Sequence, residues 1–375
     1  MMNVNDLTVV LTLKDRASFT YRWMRWMNDQ EFPYKIFIAD GGADKDVEKH
    51  LGSYQNYPNL DYEYIRYPYD SDVEVFVRKV ADVASRVKTK FVMVADNDDF
   101  ILLNPLEENL HLMRERDDVH TLGPGQYRFK IHKDPGSIDN LACADDAKIT
   151  FRRLRYVLDQ GLEDSDPLKR MLTVAEKFYS AFIYYGIHRT DDYQRINRRL
   201  QEMGTKRSVV IEWFTNNSYA IAGKLILDRS DPFLVRQDDT SQGATSTYSV
   251  ENSANIFLLR DWSGQLYAMI DNLYEQYAAM GYELDSETFE ECFRDAFRKH
   301  MLSGMEFRKL ADKFRKFPKL YAMGRIVFGI YRGRGDRNIS NAELKNNLDL
   351  YRVLCFLKQY KHPQSSSINH LSKTL

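Results

Sequence analysis

Short apolar runs with no polar face fill the first hundred residues, and they restrict the fold more than any other feature. LTVVLTL (7–13), YKIFIAD (34–40) and FVMVA (91–95) are rich in β-branched and aromatic side chains and too short for buried helices. Strands of this kind are buried on both sides, as in a parallel sheet covered by helices. Between them the period changes. Phe19, Trp23, Trp26 and Met27 recur at helical spacing over 16–28, and Val73, Phe76, Val77, Val80, Val83, Ala84 and Val87 mark one face of a later helix. LDYEYIRY supplies a further, alternating strand. Four strands separated by helical or loop crossovers predict an α/β fold with a mainly parallel sheet flanked by helices.

Beyond residue 100 the pattern loosens. QYRFKI (126–131) reads as a strand, 140–178 as helical and polar, and FYSAFIYYGIHR (178–189) as a strand returning to the sheet. Helices are expected at 191–203 and 208–222, followed by a short strand, FLVRQ (233–237). The polar stretch DDTSQGATSTYS suggests a seam, so 1–245 is expected to form one domain and 246–375 a mainly helical C-terminal region. From Leu258 onward no strand is expected, and HPQSSSINHLSKTL reads as a frayed tail.

The third apolar run stops abruptly on Asp96-Asn97-Asp98-Asp99. Carboxylates are seldom buried unless paired or bound to a cation, and the carboxyl ends of such strands are where open α/β sheets bind ligands. Two carboxylates about 4 Å apart repel by roughly 4 kcal/mol at an effective dielectric of about 20. A hard divalent cation would remove that repulsion and could take phosphate oxygens as its other ligands. A solvated turn is the plainer reading of the same four residues.

Composition excludes several classes. A formal net charge of −1 argues against a nucleic-acid partner. Cys143, Cys292 and Cys355 form no CxxC pair or disulfide framework, which favours a reducing, cytoplasmic setting. MMNVNDLTVV lacks the pattern of a secretory signal, and no apolar stretch is long enough for a membrane span. The histidines show no HxxxH or HxH spacing for zinc, and neither a P-loop nor a dinucleotide-binding glycine pattern follows the first strand.

Taken in order, TVVLTLKDR, IADGG, the helix carrying Arg78 and VMVADNDDF resemble the family 2 type of GT-A glycosyltransferases, well over 5–130 and more loosely to about 240. The resemblance implies a GT-A (Rossmann-like) sheet and transfer of a sugar from a nucleoside-diphosphate sugar to a glycan or lipid-linked acceptor. It places Thr12, Leu13 and Asp40 at the nucleotide base and ribose, with Arg78 and Asn97 on the donor side. Asp96 and Asp98 would hold Mn²⁺ or Mg²⁺ against the diphosphate, with Asp99 adjacent and Arg16 able to reach a phosphate. The spacing from Arg78 to Asp96 is a few residues longer than usual in the family.

Inverting transfer needs a base to take the acceptor hydroxyl proton, a contribution of about 10² to 10⁴-fold in rate. SVVIEWF places Glu212 in that role by resemblance, although the family's E-D pair is replaced by Glu212-Trp213. A carboxylate early in a helix also favours the helix dipole without any catalytic duty. Asp192, Asp238 and Asp239 are the substitutes, and His188-Arg189 could line the acceptor side. The segment 308–337 interleaves basic and aromatic residues, which suits either contact with anionic lipid or an amphipathic helix packing its aromatics inward. Two rival readings are a nucleotidyltransferase, which would carry a glycine-rich loop after the first strand, and a sugar-nucleotide-binding module without turnover.

Overall fold

A computed structural model describes residues 6–134, 136, 138–156, 160–177, 183–227, 232–238, 260–314 and 334–360. The expected strands form where the apolar runs lie: β1 (Leu7–Leu13), β2 (Lys35–Asp40), β3 (Tyr62–Arg66) and β4 (Phe91–Ala95). Helices α1 (Ala17–Asp29), α2 (Lys45–Leu51) and α3 (Val73–Arg86) run between them. Asp72 caps α3, its side chain accepting from Val75 N, one of the donors a helix start leaves unpaired.

These strands belong to a seven-stranded sheet, in the order β10-β6-β9-β4-β1-β2-β3, with β6 at Val119–Gly123, β9 at Ile187–Arg189 and β10 at Lys224–Leu227. All pairs are parallel except those of β9, which inserts antiparallel between β4 and β6. The sheet is mixed, mainly parallel and flanked by helices, as expected. Strand alternation divides the core in two. Leu7, Val9, Leu11, Phe91 and Met93 pack on one face with Trp23, Trp26, Leu106 and Leu110, the last two from α4 (Leu103–Glu115). Val10, Phe37, Val92 and Val94 pack on the other, against α3, α5 (Pro167–Lys177), α6 (Thr190–Glu202), α7 (Ser208–Ala222), α8 (Arg260–Ala278) and α9 (Ser286–Phe314).

A second, five-stranded sheet has the order β12-β8-β7-β11-β5. Its strands are β5 (Phe100–Ile101), β7 (Gln126–His132), β8 (Lys148–Tyr156), β11 (Leu234–Gln237) and β12 (Arg334–Asn338). Here the chain departs from expectation. Residues 148–156 form a strand rather than a helix, because Ile149 and Phe151 alternate onto the core while a run of arginines hides the period. Similarly, β12 contains no apolar residue and exists by pairing with β8. Of the expected strand at 178–189 only Ile187–Arg189 is extended, Ile183 and Tyr184 being helical; 178–182 lie outside the described residues. So do all but the first residue of the seam (239–249), most of the basic-aromatic segment (315–333) and the tail.

After residue 246 the chain contributes to both cores. Phe289, Phe293 and Phe297 of α9 join the second. Following α10 (Asn341–Asn346), helix α11 (Leu348–Gln359) sends Leu350, Val353 and Leu357 into the first, and Phe356 lies edge-on to Trp26 and Phe100. Among the described residues, no helix is long and apolar enough to cross a membrane.

The turn after β2 needs its glycines for want of space. A Cβ on Gly42 would sit 2.7 Å from the backbone nitrogen of Asp15, and one on Gly41 would overlap the Asp70 carboxylate. Gly42→Ala therefore forces two loops apart and should cost about 1–3 kcal/mol. Urea unfolding should show a lower midpoint with an unchanged slope. An unaltered midpoint would contradict this close approach.

Candidate active site at the carboxyl edge of the sheet

Register brings the sequence-predicted residues to one edge. Leu13 lies beside Asp40, Asp40 beside Arg66, and Leu11 beside Ala95, so the β1, β2 and β4 ends are adjacent. The loop after β1 holds Asp15 and Arg16 in the left-handed region, with φ of 58° and 61°. Non-glycine residues cost about 1–3 kcal/mol each in such conformations, and here the bend carries Arg16 back toward β4.

Asp96, Asp98 and Asp99 present carboxylate oxygens that all lie within 4.8 Å of one another. Each is held differently. Asp98 meets Arg16 Nη2 at 3.2 Å. Asp99 is 2% exposed; it meets Arg236 Nε at 3.0 Å and accepts from Gln237 N at 3.2 Å, so both its oxygens are engaged. Asp96 is half-buried and accepts the Tyr185 hydroxyl on Oδ2, and among the described residues no hydrogen bond reaches its Oδ1. Asn97 turns into the protein, donating to Thr20 Oγ1 at 3.0 Å and to the Arg16 carbonyl at 3.4 Å. Its amide fixes the loop against α1.

Burial and mutual repulsion dominate the electrostatics. Burial pushes the Asp96 carboxyl up, and Asp98 adds to it. Burial pushes Asp99 to about 7, with Arg236 opposing and the other two carboxylates assisting. Tyr185 is raised well above its ordinary value by burial, so it remains a donor to Asp96.

Beneath this loop lies Arg22, 0% exposed. Its guanidinium donates to the Asp98 carbonyl at 2.8 Å, to Gln237 Oε1 at 2.8 Å and to the Ala142 carbonyl at 3.3 Å. It also stacks near Phe19 and Phe100, each 4.9 Å from the ring centroid. Burial lowers its pKa to about 10, which still leaves it charged at neutral pH. The sequence carries a signal for it. Arg22 stands three residues after Phe19 and four before Trp26, on the stripe that the aromatics define as buried.

The β2 end is equally crowded. Asp40 accepts from Gly42 N at 2.7 Å, Tyr64 Oη at 2.6 Å and Arg66 Nη1 at 2.7 Å. Arg78 is exposed on α3, whereas its neighbour Lys79 is buried, paired with Asp70 and donating to the Leu13 carbonyl at 2.9 Å. Lys79 lies three residues after Phe76 and four before Val83, so helical spacing also marked it as the inward-facing cation. Thr12 is half-buried and Leu13 is buried at the same edge.

The candidate bases are dispersed. Glu212 is half-buried in the second turn of α7, beyond the reach of a helix-start explanation, and does not belong to the carboxylate cluster. The adjacent Ile211 shares a small cavity with Val94 of β4. Asp192 pairs with His120 and Arg195, which together hold its carboxyl low despite burial. Asp238 lies between Arg128 and Arg152 at 3.4 and 2.8 Å, and Asp239 is outside the described residues. His188 is wholly buried and stacked on Tyr219; burial drives it down to about 3, so it is neutral and lines no cleft.

The donor set is one of hard oxygens, suited to Mg²⁺ or Mn²⁺ rather than to a thiophilic ion. Asp99 has both oxygens engaged, by Arg236 and by Gln237 N, whereas Asp96 Oδ1 accepts no hydrogen bond among the described residues. The raised Asp99 pKa has a stability consequence. Its folded value of about 7 exceeds the unfolded one, so its contribution is full below about pH 4 and lost as pH rises through about 7. In chelator, stability to urea should fall between pH 5 and pH 8, and Asp99→Asn should flatten that slope. An equal slope in the variant would remove Asp99 as the cause.

No family model and no curated protein matches the sequence. Among solved structures, S. aureus TarS 1–349 superposes with a TM-score of 0.43 at 11% identity, covering 80% of this chain and 72% of that one. The same protein in complex with UDP-GlcNAc gives 0.43 and 11%, over 79% and 72%. A mannosyltransferase, PcManGT from Pyrobaculum calidifontis, in complex with GDP-Man and Mn²⁺, gives 0.38 and 10%, over 82% and 87%.

Proposed function

We propose that this chain is a metal-dependent, inverting glycosyltransferase that moves a sugar from a nucleoside-diphosphate donor to a hydroxyl of a glycan or lipid-linked acceptor. The observation that carries the reading is the carboxylate cluster at the end of the central strand β4, adjacent to the β1 and β2 ends. The family resemblance of VMVADNDDF and IADGG is consistent with it.

In this reading Asp96 and Asp98 hold Mn²⁺ or Mg²⁺. The ion supplies charge stabilisation to the departing diphosphate. Arg16 and Arg236, each on one carboxylate, limit the repulsion that three buried acids would otherwise impose. Tyr185 keeps Asp96 in place by donating to one oxygen, and the other accepts no hydrogen bond among the described residues. Thr12, Leu13 and Asp40 form the edge that receives the base and ribose. Asp40 is already fixed by Tyr64 and Arg66, so it would present a preorganised carboxylate rather than a searching one. Glu212 takes the acceptor proton. The absence of glycine in LTLKDRASF disfavours the nucleotidyltransferase alternative.

Thermal shift with UDP, GDP and their sugars should show stabilisation that requires Mn²⁺ and disappears in Asp96→Asn and Asp98→Asn. Stabilisation by no nucleotide, or equal stabilisation in chelator, would defeat the proposal. Glu212→Gln should leave that shift intact and lower turnover by about 10² to 10⁴-fold. Near-normal turnover would reassign the base.

A further inference from the structure

Helix α1 carries a second stripe beside its apolar one. Tyr21, Arg25 and Asp29 recur every four residues, so they lie on one face. That face borders a cavity of about 440 Å³, within the range of about 300–1,000 Å³ that holds small ligands. The cavity is also lined by His50 of α2, by Tyr57 after the 3₁₀ turn Tyr54–Asn56, and by Phe356 and Tyr360 at the end of α11. It lies along the helix from the acid cluster. Tyr21 and Asp29 stand five and thirteen residues beyond Arg16, about 8 and 20 Å along α1.

Its lining is aromatic rings with polar tips. The His50 ring is 4.3 Å from that of Tyr21, and its Nε2 lies 3.0 Å from Tyr57 Oη. The Phe356 and Tyr360 rings are 5.6 Å apart. Burial raises the three tyrosines, Tyr21 to about 12, so all keep their protons at neutral pH. The Tyr360 hydroxyl is buried with no hydrogen-bond partner among the described residues, a rare state for a polar atom. Around the rings stand exposed planar groups. Arg25 is paired with Asp29 through Nε at 2.8 Å, and its other donors make no hydrogen bond among the described residues. Asn56 donates to the His50 carbonyl at 2.8 Å, and Gln359 makes no hydrogen bond among the described residues.

This lining discriminates between ligand classes. A phosphate would meet a cation already paired with a carboxylate, with the charges of Asp44 and Asp46 acting on Tyr21 from the start of α2. An acyl chain would leave the polar tips without partners. A sugar ring meets both demands. Its C–H face packs on an aromatic ring, and each hydroxyl both donates and accepts, as amide, guanidinium and carboxylate groups require. We propose that this cavity binds one residue of a neutral glycan, at a site separate from the acid cluster. With a small movement of the ring, a sugar hydroxyl supplies the partner that Tyr360 lacks. The site stands without the transferase reading; beside it, the protein has a second hold on carbohydrate.

The test is calorimetry on the full chain with cellotriose, maltotriose, mannotriose and chitotriose, using p-cresol as the apolar control and inorganic phosphate as the anionic one. At least one trisaccharide should bind about tenfold more tightly than either control, with an affinity that salt does not move. The exposed double variant Arg25→Ala, Gln359→Ala should weaken that binding about tenfold. Asp98→Asn should leave it unchanged. Binding of no trisaccharide, tighter binding of either control, or unaltered affinity in the double variant overturns the site. So does loss of binding in Asp98→Asn, which would assign the sugar to the acid cluster instead. Sugar binding without any nucleotide response would sink the transferase reading and leave this site standing.

Discussion

The acid loop is tied to one buried cation. Arg22 reaches from α1 to the backbone of the acid loop, to β11 through Gln237 and to the segment before β8 through Ala142. These four pieces are far apart in sequence, and a single guanidinium holds them in fixed relation. Its two terminal nitrogens find three acceptors while Nε has none among the described residues, and leaving a buried polar group unpaired by removing one of these partners costs about 1–3 kcal/mol. The aromatic rings around it exclude water and keep the geometry tight. The acid loop is thus positioned from below by a group with no exposed surface.

Above that anchor the site is a balance of like charges. Three acids share a space in which burial already disfavours their ionised forms. Arg16 and Arg236 offset part of the repulsion, and the left-handed backbone at Asp15 and Arg16 is the conformational cost of delivering one of them. Such an arrangement is poor for stability and well suited to receiving a positive ligand. It follows the common pattern in which functional sites depart from what packing alone would choose.

Legibility in the sequence followed burial. β1, β2 and β4 have no polar face, so their composition alone placed them, and with them the sheet and its acid-bearing edge. β8 and β12 were illegible for the opposite reason. Arginines interrupt both, and the period-two signal of Ile149 and Phe151 is too short to dominate. The site divided along a different line. Asp96, Asp98 and Asp99 were read from their position after a strand, whereas Arg236 and Tyr185 come from segments 51 residues apart that only tertiary structure joins. Lys79 and Arg22 lay between: both sit on helical stripes marked as buried, and a charge on such a stripe is itself a signal.

The inserted strand β9 has a temporal side. β4, which carries the acids, pairs with β1 on one edge, and among the described residues its other edge is paired by Ile187–Arg189. Ribosomes add about 5–20 residues per second, so that edge waits several seconds or more for its partner. An apolar strand with an open edge is a template for pairing with other chains. The nascent protein is therefore most vulnerable to misassociation in the interval before β9 emerges, and a chaperone acting there would guard the same strand that later presents the acid cluster.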